Sequence, residues 1–236
     1  MEIINRKKEE PSFIEELSQS QINRRRFLRY SSIFGASAVV IGSASSLAGC
    51  HKDDNNDGIN LGSGDTGILN YAYALEQLEA AFYTQVVSSP FSGMTGAETS
   101  YFTDIRDHEI AHREFFKKAL GNNAIQALEV NFSSINFGSR DSVLGTAKAF
   151  EDLGVSAYNG AGKLLTDANN LLLAGKIVSV EARHAAAIRD LIAANSFATS
   201  DVVDSNGLDV ARMPSEVLSI AGTYLKSKLN ASNLPH

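Results

Sequence analysis

The chain has a single cysteine, no long uninterrupted apolar run and no excess of basic residues, and each shortage removes a class of answers. One cysteine, Cys50, permits neither an intrachain disulfide framework nor a cysteine-rich metal site. The uncharged stretch from Tyr30 to Gly49 is interrupted throughout by Ser and Gly, whereas a membrane-spanning helix wants about 20 predominantly apolar residues. Acidic residues outnumber basic ones, 27 Asp and Glu against 21 Lys and Arg, and from Cys50 onward the balance is 22 against 14. Such a surface repels phosphate backbones and sets nucleic acid aside as a partner.

What is present begins with an address. The run "NRRRFLRYSSIFGASAVVIGSASSLAGC" carries Arg24, Arg25 and Arg26, then a Gly-, Ala- and Ser-rich segment, then Leu47, Ala48 and Gly49 before Cys50. It resembles a twin-arginine export signal closed by a bacterial lipoprotein box. On this reading residues 1–49 are removed, Cys50 carries a lipid that anchors the chain to a membrane, and the mature protein faces the periplasm or cell surface. Residues 50–66, "CHKDDNNDGINLGSGDT", are polar and acidic and read as a flexible tether. His51, Asp53, Asp54 and Asp57 within it read as solvated linker charges.

From Ile68 the apolar residues recur at helical spacing, in four long segments and one short one. The first stops before Ser88, Ser89 and Pro90. The second, "ETSYFTDIRDHEIAHREFFKKAL", ends at Gly121, where an αL cap is expected. The third begins near Asp141, the fourth is "NNLLLAGKIVSVEARHAAAIRDLIAAN", and the short one starts at Pro214. Short connections make the first two helices, and the third and fourth, antiparallel pairs. Nearly twenty residues separate the second from the third, enough to cross a bundle lengthwise. The expected fold is all-α: a four-helix bundle over 67–196 with one long crossover, followed by an extension, 197–236, that contains a short helix.

The chemistry lies in acidic residues at core-facing helical positions. Glu76 and Glu151 sit among apolar neighbours, where a carboxylate is costly unless paired or metal-bound. Tyr83 and Tyr158 follow them by seven residues and so share their helix faces. They suit either core packing with a bonded hydroxyl or a supporting role beside the site. The second and fourth helices carry E-x-x-H, as Glu109 with His112 and Glu181 with His184, a spacing that points carboxylate and imidazole from one face at one metal. The order Glu, Glu-x-x-His, Glu, Glu-x-x-His repeats at an offset of about 75 residues, an internal duplication of a metal half-site. Glu79, three residues after Glu76, competes for the first position, and the tyrosine spacing favours Glu76.

With "ILNYAYALEQLEAAFY" and "VSVEARHAAAIRDL", this pattern resembles the ferritin-like superfamily of carboxylate-bridged di-metal bundles, and within it exported bacterial ferritin-like domain proteins. The resemblance implies that Glu109 and Glu181 bridge two metal ions, that Glu76 and Glu151 each bind one terminally, and that His112 and His184 each supply a nitrogen. It implies iron ahead of manganese, with zinc as an inert occupant, and an oxidoreductase acting on O2, peroxide or Fe(II). A non-catalytic metal-binding or structural bundle at the cell surface is the alternative. The tether, lipid and extension argue against a closed cage, so a monomer or dimer is expected.

"HEIAH" at 108–112 also matches the H-E-x-x-H helix of zinc proteases, with His108 and His112 as ligands and Glu109 as base. Phe115 and Lys118 stand where the extended form of that motif needs glycine and a third histidine. The protease reading also leaves Glu76, Glu151, Glu181 and His184 without a role. His108 is therefore expected as a neighbour of the site rather than a ligand.

Overall fold

The structure is a computed structural model that describes residues 58–236. The export and lipidation motifs at Arg24, Arg25, Arg26 and Cys50 lie outside the described residues, as do His51, Asp53, Asp54 and Asp57.

Four long helices form the body: α1 (Gly64–Ser88), α2 (Gly96–Leu120), α3 (Arg140–Gly162) and α4 (Ala168–Ile192). Their starts follow local capping chemistry. Thr95 and Glu98 make a reciprocal capping box for α2, in which the Thr95 side chain accepts from Glu98 N–H and Glu98 accepts from Thr95 N–H at 2.8 Å. The Ser139 side chain caps α3, and the Asp167 side chain accepts from Asn169 N–H at the start of α4. Lys117 and Lys118 place positive charge on the last turn of α2. Gly121 ends that helix at φ 54° but ψ −122°, a glycine-only conformation outside the αL region expected there.

Helix α1 packs along α2 and α3 along α4, with α1 also touching α3 and α2 touching α4. The crossover, residues 121–139, lies against α1. The Asn70 side-chain amide donates to the carbonyls of Leu61 and Asn123 and accepts from Ile125 N–H, and Gln77 accepts from Leu128 N–H. These bonds satisfy backbone groups of an irregular segment that would otherwise be buried without partners. Phe132 and Phe137 of the crossover meet Phe82, which is fully buried. No helix among the described residues is long and apolar enough to cross a membrane.

The ends of the domain differ from expectation. Residues 58–66 are not the last part of a free tether. Strand β1 (Ile59–Asn60) pairs in parallel with β2 (Leu229–Asn230), Leu61 is fully buried, and α1 begins at Gly64, four residues before the first residue of the apolar period. The polar string "SGDTG" looked solvated because its polar groups have distant partners: Asp65 accepts from Thr166 N–H, the Thr166 hydroxyl, Asp167 N–H and the Asn170 amide. Partial burial pushes the Asp65 carboxyl up, but these four donors outweigh it and hold it down at about 2.

The C-terminal extension straps the bundle. Arg189 of α4, nearly fully buried, donates to Asp152 of α3 and to Asp201 of the extension. Further on, Arg212 N–H donates to Ser156 C=O before α5 (Pro214–Ala221) buries Val217 and Ala221. Gly160 permits this contact, since a Cβ there would lie 1.7 Å from Arg212 O. Gly160→Ala is therefore expected to lift the strap and to lower unfolding free energy by about 2 kcal/mol, measurable by denaturant titration.

Candidate metal centre

Each helix of the bundle points its acidic or histidine side chains at the middle of the core. Glu76 comes from α1, Glu109 and His112 from α2, Glu151 from α3, and Glu181 and His184 from α4. All four glutamates are 0% exposed, and the two histidines are 3% and 4% exposed. The i, i+3 pairs on α2 and α4 face each other across antiparallel axes, so His112 Nδ1 lies 2.8 Å from Glu181 Oε1 and His184 Nδ1 lies 2.9 Å from Glu109 Oε1.

Two overlapping groups result. Glu76, Glu109, Glu181 and His112 each place one donor atom within 4.8 Å of the others, and so do Glu109, Glu151, Glu181 and His184. Glu109 and Glu181 belong to both. The structure thus brings together all six residues singled out from the E-x-x-H repeat, and it places Glu76 rather than Glu79 in the first group.

Partnering at the atomic level shows what this cluster fits. Tyr158 of α3 donates its hydroxyl to Oε1 of Glu76 on α1, and Tyr83 of α1 donates to Oε1 of Glu151 on α3. The opposite oxygens, Oε2 of Glu76 and of Glu151, have no hydrogen-bond partner; neither do both oxygens of Glu109, both of Glu181, or Nδ1 of His112 and of His184. Eight buried polar atoms without hydrogen bonds, gathered in one place, are costly; among the described residues the only other such side-chain atom is the Tyr71 hydroxyl. They approach one another closely but without hydrogen-bond alignment, because they converge on shared points between them. Two cations would satisfy all eight, each taking three carboxylate oxygens and one imidazole nitrogen, a donor set suited to iron, manganese or zinc.

The tyrosines were legible as residues on the glutamate faces, but their partners were not. A seven-residue separation spans about 10 Å along a helix, too far for a tyrosine to reach its own glutamate. Antiparallel α1 and α3 bring each to the glutamate of the other half. Removing that bond frees a terminal carboxylate to rotate. Tyr83→Phe and Tyr158→Phe are expected to weaken metal binding about 10-fold or more while leaving the fold intact, as read by metal titration and circular dichroism.

Electrostatics follow from burial and crowding. Burial pushes the Glu76 carboxyl up, His112 opposes this, and the Glu181 and Glu109 charges add to it. Burial raises Glu151 to about 7 against the pull of His184. Burial also pushes Glu109 up, but its contacts with His112 and His184 outweigh this and hold it well below the carboxylate range. Both histidines are pushed down by burial yet raised overall by the surrounding carboxylates. Glu76, Glu151, His112 and His184 are thereby biased toward their protonated forms.

The remaining candidates lie beside the groups. Glu79, 4% exposed, rests its Oε1 in the space left by the missing side chain of Gly154, 3.1 Å from where a Cβ would stand. Burial and the four neighbouring carboxylates push its carboxyl well up. His108 belongs to neither group. Its Nδ1 sits 2.9 Å from the outer nitrogen, Nε2, of His184, with the two rings within 9° of parallel. His108 and His112 therefore do not converge on one ion as the protease motif requires. An apolar cavity of about 20 Å³ also lies next to the centre, lined in part by Leu75, Phe116, Tyr158 and Leu173. Sequence periodicity carried no signal for it.

A four-helix bundle with one long crossover and a buried, doubled Glu and Glu-x-x-His set defines the ferritin-like class of carboxylate metal proteins. The chain belongs to the ferritin-like domain family, whose sequence profile matches residues 64–194. Comparison with curated proteins gives no match.

Proposed function

We propose that the domain holds two iron or manganese ions between Glu109 and Glu181 and uses them as an oxidoreductase centre toward O2, peroxide or Fe(II). The observation that carries this reading is the set of eight buried, unpartnered donor atoms, which divides evenly between two positions. Glu76 and His112 would complete one position, and Glu151 and His184 the other. When bound, such a pair supplies two-electron exchange with an oxidant. The chain's own residues do the rest: Tyr83 and Tyr158 fix the terminal carboxylates, the bundle core excludes bulk water, and Glu76, Glu151, His112 and His184 would lose their protons to solvent as metal takes their place. The cavity at Tyr158 is large enough for a single small molecule, and its apolar lining favours O2 over polar oxidants from that end.

The proposal extends to location. The arginine run and Cys50 support an exported, lipid-anchored protein at the periplasmic or cell surface, and the tether and strap support a monomer or dimer. Cys50→Ser is expected to release the protein from the membrane fraction.

The activity is tested with purified residues 50–236 loaded with Fe(II) or Mn(II). Metal-dependent consumption of O2 or peroxide, abolished by Glu181→Ala, is the expected result. Tight binding of two ions with no turnover of O2, peroxide or Fe(II) would instead favour the non-catalytic alternative, a structural metal-binding bundle.

A further inference from the structure

We propose that the two metal positions are unequal, and that the position formed by Glu109, Glu151, Glu181 and His184 fills first because His108 holds the outer nitrogen of His184. This rests on the two-metal reading above and adds an order of loading assigned to a residue outside the ligand set.

The duplicated half-site is nearly symmetric. Glu76 repeats as Glu151, Tyr83 as Tyr158, Glu109 as Glu181 and His112 as His184. It breaks at two positions close to the centre. His108 immediately precedes Glu109, but Val180 immediately precedes Glu181; Glu79 follows Glu76 by three residues, but Gly154 follows Glu151 by three.

His184 presents Nδ1 to Glu109, Glu151 and Glu181, at 2.9, 3.6 and 3.5 Å. A neutral imidazole that binds metal through Nδ1 must carry its proton on Nε2. That N–H then donates to His108 Nδ1, 2.9 Å away in a nearly coplanar ring. The bond selects the metal-binding tautomer, fixes the ring's rotation and increases the basicity of Nδ1, as outer partners of metal-bound histidines do. His112 presents Nδ1 to Glu181, Glu76 and Glu109 in the same way. In the repeat, Val180 stands at the sequence position that matches His108, and its hydrocarbon side chain accepts no hydrogen bond.

The second break lies on the same side: the Glu79 carboxyl occupies the space at Gly154, one helical turn from Glu151.

The test is Mn(II) titration of metal-free residues 50–236 by calorimetry. Wild type is expected to bind two ions in two steps whose affinities differ about 10- to 100-fold. Glu76→Ala should keep the tight step and lose the weak one, and Glu151→Ala should do the reverse. His108→Val, which copies the residue of the other half, should bring the two steps together. His108→Gln, which retains an acceptor, should hold them apart, and this contrast separates the hydrogen bond from a packing effect. Two equal steps in wild type, or an unchanged separation in a folded His108→Val, would overturn the proposal while leaving the two-metal centre standing. Wild type that binds no Mn(II) or Fe(II) would overturn the metal reading itself.

Discussion

Glu181→Ala is expected to empty both metal positions, and Glu109→Ala likewise, whereas Glu76→Ala and Glu151→Ala should each spare the position on the opposite side. The difference comes from geometry. Glu109 and Glu181 each present two unpartnered oxygens and belong to both donor groups, while Glu76 and Glu151 each present one, the other being held by a tyrosine. Loss of an outer partner weakens a metal site by about 10- to 100-fold; loss of a bridging ligand removes a direct bond from each ion and should exceed this at both positions. Elemental analysis of the purified variants reads the outcome directly. The metal-free variants should remain folded, because the helices are held by apolar packing on either side of the centre, with Phe82, Phe102, Leu144 and Ile188 fully buried.

The second large effect is a reversal of pH dependence between metal-free and metal-loaded protein. Glu151 is held protonated up to about 7 in the folded state, against 4.5 ordinarily, and Glu76, His112 and His184 are also raised. A group whose folded pKa is raised contributes stability that is fully present below its unfolded value and is lost as pH rises through the folded one. Glu109 works in the opposite sense, but its loss falls at strongly acidic pH, outside this window. Metal-free protein should therefore melt at a higher temperature at pH 5 than at pH 8. Metal must displace those same protons, so its affinity should fall about 10-fold or more for each pH unit below about 7. With metal in excess the thermal stability should rise with pH. Melting curves at both pH values, with and without Mn(II), check both signs.

Much of the fold and centre was legible because two strong periodicities coincide. Apolar spacing located four helices, and the lengths of their connections set the pairing and the crossover. The doubled Glu and E-x-x-H pattern then identified six residues that the structure brings to one place. What escaped was set by tertiary contacts that leave no periodic trace. Tyr83 and Tyr158 exchange partners between α1 and α3, which depends on helix direction and not on spacing along either helix. Asp65 in a Gly-rich string looked like part of a solvated tether, yet it anchors the α3–α4 turn. The pairing of Ile59–Asn60 with Leu229–Asn230 joins segments at opposite ends of the domain. His108 was separable from the ligands only by the failure of the protease motif; its contact with His184 needed coordinates. Gly154 could have been found earlier, by aligning the two halves of the repeat and asking why a glycine faces a glutamate.

Two ions are expected between Glu109 and Glu181, one toward His112 and one toward His184. Anomalous diffraction from crystals grown with Mn(II) or Fe(II) tests this most directly. Two peaks are predicted, one beside Glu76 and His112 and one beside Glu151 and His184, with Glu109 and Glu181 touching both. A single peak coordinated by His108 and His112, or none within the bundle, would contradict the account.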